Sequence, residues 1–139
     1  MASTAYPLWK NEVLKGEDAV NASLTGNTIT AYLVDTADYT YSATHEFISS
    51  VPSGARVSSV NLANVTVTNT GNTTYVNCDD FVFSTVTGDP CEAVIFALNT
   101  GVEGTSRLFL YMDDAVGLPV TPVGTNIPFT VATNGLMSF

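Results

Sequence analysis

The chain has 139 residues, of which 13 are acidic and four are basic, so its net charge is −9. This balance argues against nucleic acid and an anionic membrane surface as partners, because both attract clustered Lys and Arg. Only 12% of the residues are charged and 45% are hydrophobic, whereas an ordinary soluble domain is about a quarter charged. The low charge favours a surface partly covered by partners over a Thr-rich surface that stays monomeric.

The length predicts one domain, residues 1–139, with an N-terminal arm and short helix at 1–16 and a β core at 27–139. The first 25 residues lack a signal-peptide pattern, and no run approaches about 20 apolar residues. We therefore expect no membrane-spanning segment.

The first predicted element is a short helix from Pro7 to Lys15. Proline suits the first turn of a helix, and Gly16 is placed to end it. Trp9 and Val13 lie four residues apart and share a face. Trp9 is interpreted as a core side chain at one end of the domain, with the alternative that it inserts into a neighbouring subunit.

Strands follow at short intervals. Thr28–Val34 alternates apolar and polar residues, and Asp35–Tyr39 is a turn; Thr44 is placed to cap one helical turn at His45–Ser50. Two strands are predicted around Asn61, with Val65 and Val67 facing inward in the second one. The sequence 69–72 indicates a hairpin. Further strands are predicted at 126–133, where Pro128 favours an edge, and at 136–139.

The centre of the prediction is the stretch 79–114. Phe81–Val86, Cys91–Leu98 and Ser106–Asp113 read as three successive antiparallel strands separated by turn-rich breaks. The middle strand is apolar at nearly every position, which places it in the centre of a sheet and covered on both faces. The predicted fold is all-β: an antiparallel β-sandwich or jelly-roll-like barrel with one short N-terminal helix.

No catalytic motif is recognisable in this pattern, and we predict no enzyme, cofactor or metal site. His45 has no positioned nucleophile beside it and is interpreted as a solvated cap residue. Cys78 and Cys91 lack zinc-ligand spacing. A disulfide between their neighbouring strands is possible, but two thiols of this kind are more often free and buried. The pairs Asp79–Asp80 and Asp113–Asp114 were weighed as calcium ligands, but no calcium-binding loop is present and Asp is common in turns.

Two segments carry a family resemblance. One runs from Ala31 to Tyr39 (Ala-Tyr-Leu-Val-Asp-Thr-Ala-Asp-Tyr) and continues through residues 44–56. The other comprises residues 79–89, 92–95 and 105–108, with Gly-Leu-Pro-Val-Thr-Pro at 117–122. In these segments the chain resembles the small virion proteins of tailed bacteriophages, including cyanophages. The N-terminal helix departs from that family's usual version, which has more charged residues.

The resemblance implies a capsid decoration, or cement, protein of the virion that binds the major capsid protein outside the head shell. It also implies a homotrimer, which agrees with the low charge and with the need to cover sheet edges. The expected partner contacts are Trp9, Val13, Tyr39 and Tyr41. The alternative function is a tail or fibre component that recognises a host glycan through Tyr39, Tyr41 and Tyr75.

Overall fold

The computed structural model describes residues 3–139. Two α-helices lie near the N-terminus, α1 (Pro7–Lys15) and α2 (Ala19–Ala22), and 3-10 turns occupy Ile48–Ser50, Ser53–Ala55 and Glu103–Thr105. The ten strands of the described chain are β1 (Thr4–Ala5), β2 (Thr28–Val34), β3 (Arg56–Asn61), β4 (Thr66–Thr70), β5 (Thr73–Asn77), β6 (Phe81–Phe83), β7 (Ala93–Asn99), β8 (Leu108–Met112), β9 (Ile127–Phe129) and β10 (Met137–Ser138). The fold is all-β, as predicted.

The main sheet has five antiparallel strands in the order β1-β8-β7-β2-β3. Its middle strand, β7, pairs with β2 along the whole length of both strands, from Thr28 opposite Asn99 to Val34 opposite Ala93. All residues of β7 up to Leu98 are buried. The prediction that this apolar run is the sheet centre is confirmed, since only a strand covered on both faces can bury every side chain.

Different parts of the chain cover the two faces of this sheet. On one face, Phe96 of β7 packs edge-on against Phe81 of β6, with ring centroids 5.9 Å apart. On the other face, Tyr111 of β8 packs against Tyr41, which lies in the segment between β2 and β3; the ring centroids are 5.3 Å apart. The arrangement resembles a sandwich in which the main sheet lies between the β6–β9 pair and a long loop.

Two smaller antiparallel sheets complete the structure. One has three strands in the order β10-β5-β4, and the other pairs β6 with β9. The hairpin predicted at 69–72 joins β4 to β5, with Thr70 opposite Thr73 and a positive φ at Gly71. Pro128 lies in β9, which pairs with β6 alone and is therefore an edge strand, as predicted.

The three-stranded meander predicted over 79–114 is only partly correct. β7 and β8 form an antiparallel pair, but β6 pairs with β9 rather than with β7. The turn-rich segment between β6 and β7 is long enough to carry β6 onto a separate sheet over the face of the main one. Strand propensity located β6 but did not specify its partner.

Three further predictions need correction. Val67 does not face a core: it is 45% exposed, and every residue of β4 is exposed. The sequence pattern of residues 17–26 predicts a loop or ragged strand, but a second helix, α2, forms there. The helical turn expected at His45–Ser50 is a 3-10 turn limited to Ile48–Ser50, and no side chain caps it.

One glycine sets how closely the C-terminal segment approaches β5. Gly135 has φ +79°, and a Cβ added there would lie 2.1 Å from the backbone oxygen of Val76. The next residue, Leu136, donates its N–H to that same oxygen at 2.7 Å. Only glycine allows the turn before β10 to come near enough for this hydrogen bond.

We expect Gly135→Ala to destabilise the protein much more than Gly101→Ala. Both glycines have positive φ, but no atom lies within 4 Å of the added Cβ at Gly101. Gly101→Ala should therefore cost only the backbone penalty of about 1–2 kcal/mol. The clash at Gly135 should add on the order of 2 kcal/mol or more. Urea unfolding would measure both, and equal losses would contradict the close approach.

Candidate interaction surface

An apolar groove lies between the two helices and the three-stranded sheet. Its volume is about 650 Å³, and its lining includes residues from α1, the α2–β2 connection, β4, β5 and the C-terminus. A groove of this size lies in the range of ligand and side-chain binding sites. It is larger than a second concavity of about 260 Å³, which Phe81, Met112 and Phe129 help to line.

Trp9 forms the floor of this groove. Its side chain is 5% exposed, and its indole N–H donates to the carbonyl of Ala22 at 3.1 Å. Its ring packs against that of Phe109, with the ring centroids 5.6 Å apart. The core interpretation of Trp9 is confirmed. The alternative, insertion of Trp9 into a neighbouring subunit, stays a prediction; it would require the ring to leave this packing.

The rim of the groove is apolar and open to solvent. Leu14 is 86% exposed, Phe139 56%, Val13 47% and Val67 45%. Single exposed apolar residues are ordinary, but several around one concavity mark a binding surface. Val13, one of the predicted contact residues, does lie here, whereas Leu14, Val67 and Phe139 were not predicted as contacts. The adjacent apolar pair Val13-Leu14 on a short helix was the available signal, since one helix face cannot bury both side chains.

The groove has little charge. Lys10 is the only charged residue in its lining, and it is exposed. The other basic side chains of the described chain take part in ion pairs: Lys15 with Glu12 and Glu17, Arg56 with Glu103, and Arg107 with Glu46 and Asp18. The groove therefore contributes none of the chain's acidic charge and differs from the rest of the surface.

Tyr39 and Tyr41, the other predicted contacts, belong to a buried aromatic cluster. The hydroxyl of Tyr39 is 2.8 Å from that of Tyr6 and 2.9 Å from Nδ1 of His45, and Tyr39 is 3% exposed. Burial raises the pKa of Tyr39 to about 12, so the phenol stays protonated at neutral pH. Its prediction as an exposed contact is wrong, and a buried ring offers no platform for a glycan. Tyr41 and Tyr75 are half-buried.

His45 is not the solvated cap residue that we expected. Its ring is half-buried beside Tyr39, with centroids 5.4 Å apart, and Nδ1 is hydrogen-bonded to the Tyr39 hydroxyl. It therefore anchors the segment between β2 and β3 to the tyrosine cluster.

Arg107 ties three segments of the chain together. Its guanidinium donates to Glu46 at 2.6 Å and to Asp18 at 3.2 Å, and it lies 5.0 Å from the ring centre of Phe47. The side chain is buried, so this paired charge holds the loop before β3 and the start of α2 against β8. The pairing indicates a structural role.

Three of the four aspartates considered for calcium accept hydrogen bonds from distant parts of the chain. Asp79 accepts from the Asn64 side chain at 2.6 Å, Asp80 from the backbone N–H of Val131 at 2.7 Å, and Asp114 from the Ser3 hydroxyl.

A different set of carboxylates comes together in the fold. Asp35, Asp38 and Asp89 present oxygens within 4.8 Å of one another. Asp35 is buried and accepts from the N–H of Ala37, and the other two residues are exposed. Exposed carboxylates often cluster without an ion, so this group is not by itself a metal site.

Both cysteines are free and buried, as predicted. Burial, reinforced by neighbouring acidic groups, raises the pKa of Cys78 to about 11 and that of Cys91 to about 12, from an ordinary value of 9.0. A thiol that stays protonated is a poor nucleophile. The cysteines are therefore packing residues in this structure.

The chain was compared with known proteins. No model of a protein family matches it, and no curated protein is significantly similar to it in sequence. Within residues 3–139, every helix is too short or too polar to cross a lipid bilayer.

We expect Trp9→Ala to lower the free energy of unfolding by about 3–5 kcal/mol, because it empties a buried aromatic site. Leu14→Ala on the same helix is the matched control; its side chain is largely in solvent, so the change should stay within about 0.5 kcal/mol. Urea unfolding of both variants measures the difference. A stable Trp9→Ala protein would contradict the packing described for this ring.

We expect the free energy of unfolding to decrease as the pH rises above 9. The unfolded thiols ionise from about that pH, whereas Cys78 and Cys91 in the folded protein stay protonated until about 11 and 12. Each raised pKa therefore contributes stability that is complete below pH 9 and disappears at higher pH. Urea titrations at pH 8 and 10 measure this loss. A Cys78→Ala/Cys91→Ala double variant should lose less stability over the same interval, and an identical loss would argue against the thiols as its source.

Proposed function

We propose that this chain is a non-enzymatic structural protein of a phage virion, a capsid decoration protein that binds the major capsid protein outside the head shell and stabilises it. The observation that carries the proposal is the open apolar groove at the N-terminal end of the fold. A protein that cements other subunits needs a surface whose burial is favourable, and about 25 cal/mol is gained for each Å² of apolar area buried.

The distribution of charge supports the same proposal. The groove lining has one lysine and no acidic side chain, whereas the whole chain has a net charge of −9. Docking through the groove would leave the acidic groups on the solvent side, where like charge keeps particles apart. A docking face without acidic side chains, together with an acidic outer face, suits a shell-bound protein.

The polar side chains that could take part in catalysis are engaged in structural contacts or are unreactive. The Tyr39 hydroxyl and His45 are hydrogen-bonded to each other, Arg107 is held by two carboxylates, and the thiols are protonated at neutral pH. A nucleophile with an orienting base, as acyl-transfer enzymes use, is not assembled among these groups. The alternative of glycan recognition is not favoured by any specific observation, because Tyr39 is buried.

We expect Leu14→Asp to reduce binding to head shells by about tenfold or more, because it places a charge where apolar area would be buried. Val116→Asp is the control: Val116 is 97% exposed and lies outside the groove. Purified protein would be added to shells that lack it, and bound copies counted after sedimentation.

Image reconstruction of these particles gives a second readout. Hundreds of copies over the shell would support the proposal. Density confined to the tail, or equal loss of binding in the Val116→Asp control, would contradict it.

A further inference from the structure

Strand β4 is an open sheet edge. It pairs with β5 on one side, and no other strand of the described chain pairs with its other side. All five of its residues, Thr66–Thr70, are exposed. An edge of this length with unpaired N–H and C=O groups is a template for pairing with another strand.

The register shows which backbone groups point outward. Thr70 and Thr73 flank the two-residue turn and so form a hydrogen-bonded pair, after which bonded and non-bonded pairs alternate. This leaves the N–H and C=O of Val67 and Asn69 facing away from β5. The bonds on the other side of β5 agree: Thr74, opposite Asn69, exchanges both backbone bonds with Phe139, at 3.0 and 2.9 Å.

β4 also lacks the devices that usually protect an edge, which are proline, lysine and a bulge. The remaining edges of the described sheets do not share its openness. β9 contains Pro128, and β1 and β10 have two residues each. The remaining long edge strand, β3, is partly covered, because Gly88 lies against its Val57. The longest fully exposed edge in residues 3–139 is therefore β4.

We propose that β4 pairs with β4 of a second copy of this chain, antiparallel, about a two-fold axis at Thr68. In this register Val67 lies opposite Asn69 of the second copy, and Thr66 lies opposite its Thr70. The outward N–H and C=O groups of both residues on each copy then form hydrogen bonds. Thr68 faces its own equivalent, and Thr–Thr pairs are favourable across antiparallel strands.

Charge favours a second copy as the occupant of this edge. Residues 57–78 contain no charged side chain, so β4, β5 and their turn form a neutral surface on a chain with a net charge of −9. Two copies can meet here without placing like charges together, whereas a basic partner would be drawn to the acidic surfaces elsewhere. A neutral strand is the electrostatic match for this edge, and β4 itself is one.

The area buried sets the expected strength. A stable interface buries about 800 Å² on each partner, and five paired residues supply only part of that. Because Val67 lines the groove, the two grooves would lie on the same face of the joined six-stranded sheet, with other exposed apolar side chains such as Leu14 around them. We therefore expect a weak dimer that forms at high protein concentration, in place of the homotrimer that the family resemblance implies. The inference does not depend on the proposed function.

Sedimentation velocity from about 10 μM to about 1 mM, the range expected for a small interface, would test the pairing. We expect a shift from monomer to dimer. Asn69→Pro removes one outward N–H and should weaken association by about tenfold or more, whereas Asn69→Ala, the control, keeps that N–H and should leave association unchanged. If the proline variant misfolds, Val67→Lys, which adds a charge to the exposed edge, replaces it with the same expected loss.

A cross-link tests the register. Thr68→Cys should give a disulfide-linked dimer on mild oxidation, because two residues directly opposite have Cβ atoms about 4.5–5.5 Å apart. Thr66→Cys, which lies opposite Thr70, should not, and neither should the unmodified chain with its buried Cys78 and Cys91.

The outcomes separate this inference from the proposed function. A monomer at every concentration, a trimer, or cross-linking at Thr66 in place of Thr68 would overturn the two-fold pairing. Dimerisation without any binding to head shells would support the pairing and contradict the proposed function. Binding to head shells by a chain that stays monomeric would support the proposed function and contradict the pairing.

Discussion

Everything in this fold depends on covering β7 on both faces. Ala93–Leu98 are completely buried, and one neighbour, β2, pairs with the strand over its full length. Such a strand cannot lie at a surface, so other segments of the same short chain must cover both of its faces. The pair β6–β9 covers the face that carries Phe96, and the segment between β2 and β3 covers the face of Tyr111.

The connecting segments in this arrangement lie against the sheet without regular backbone pairing. Polar side chains hold them there. Arg107 joins Glu46 and Asp18 to the end of β8, and the hydroxyls of Tyr6 and Tyr39 with His45 hold the segment between β2 and β3. Buried polar groups are stable only when they are paired, and these side chains pair with one another at every position except Arg107 Nε. The residues that look reactive in the sequence are therefore used to fasten loops.

Covering the central strand also leaves surface that the chain itself does not bury. The three-stranded sheet reaches beyond the core, so β4 is exposed along its length, and the groove beside α1 stays open with Leu14 and Phe139 at its rim. The two features meet at Val67, which lies on the open edge and lines the groove. The neutral stretch 57–78 spans this region, so apolar and hydrogen-bonding contacts, rather than charge, govern what binds there.

The sequence by itself determined the local elements. Proline and glycine placed α1 at Pro7–Lys15, alternation placed β2 at Thr28–Val34, and an unbroken apolar run placed β7 at the centre of a sheet. These signals are local, because capping, turn preference and burial pattern act over a few residues. Partner choice is not local: β6 pairs with β9, more than forty residues away in the chain, and β4 lies away from the core.

The candidate site was likewise only partly predictable from local sequence. Sequence identified Val13 and the core position of Trp9. Tyr39 became a core residue, and Leu14 and Phe139 became the rim, only through the tertiary structure, because exposure depends on which segments pack over each residue.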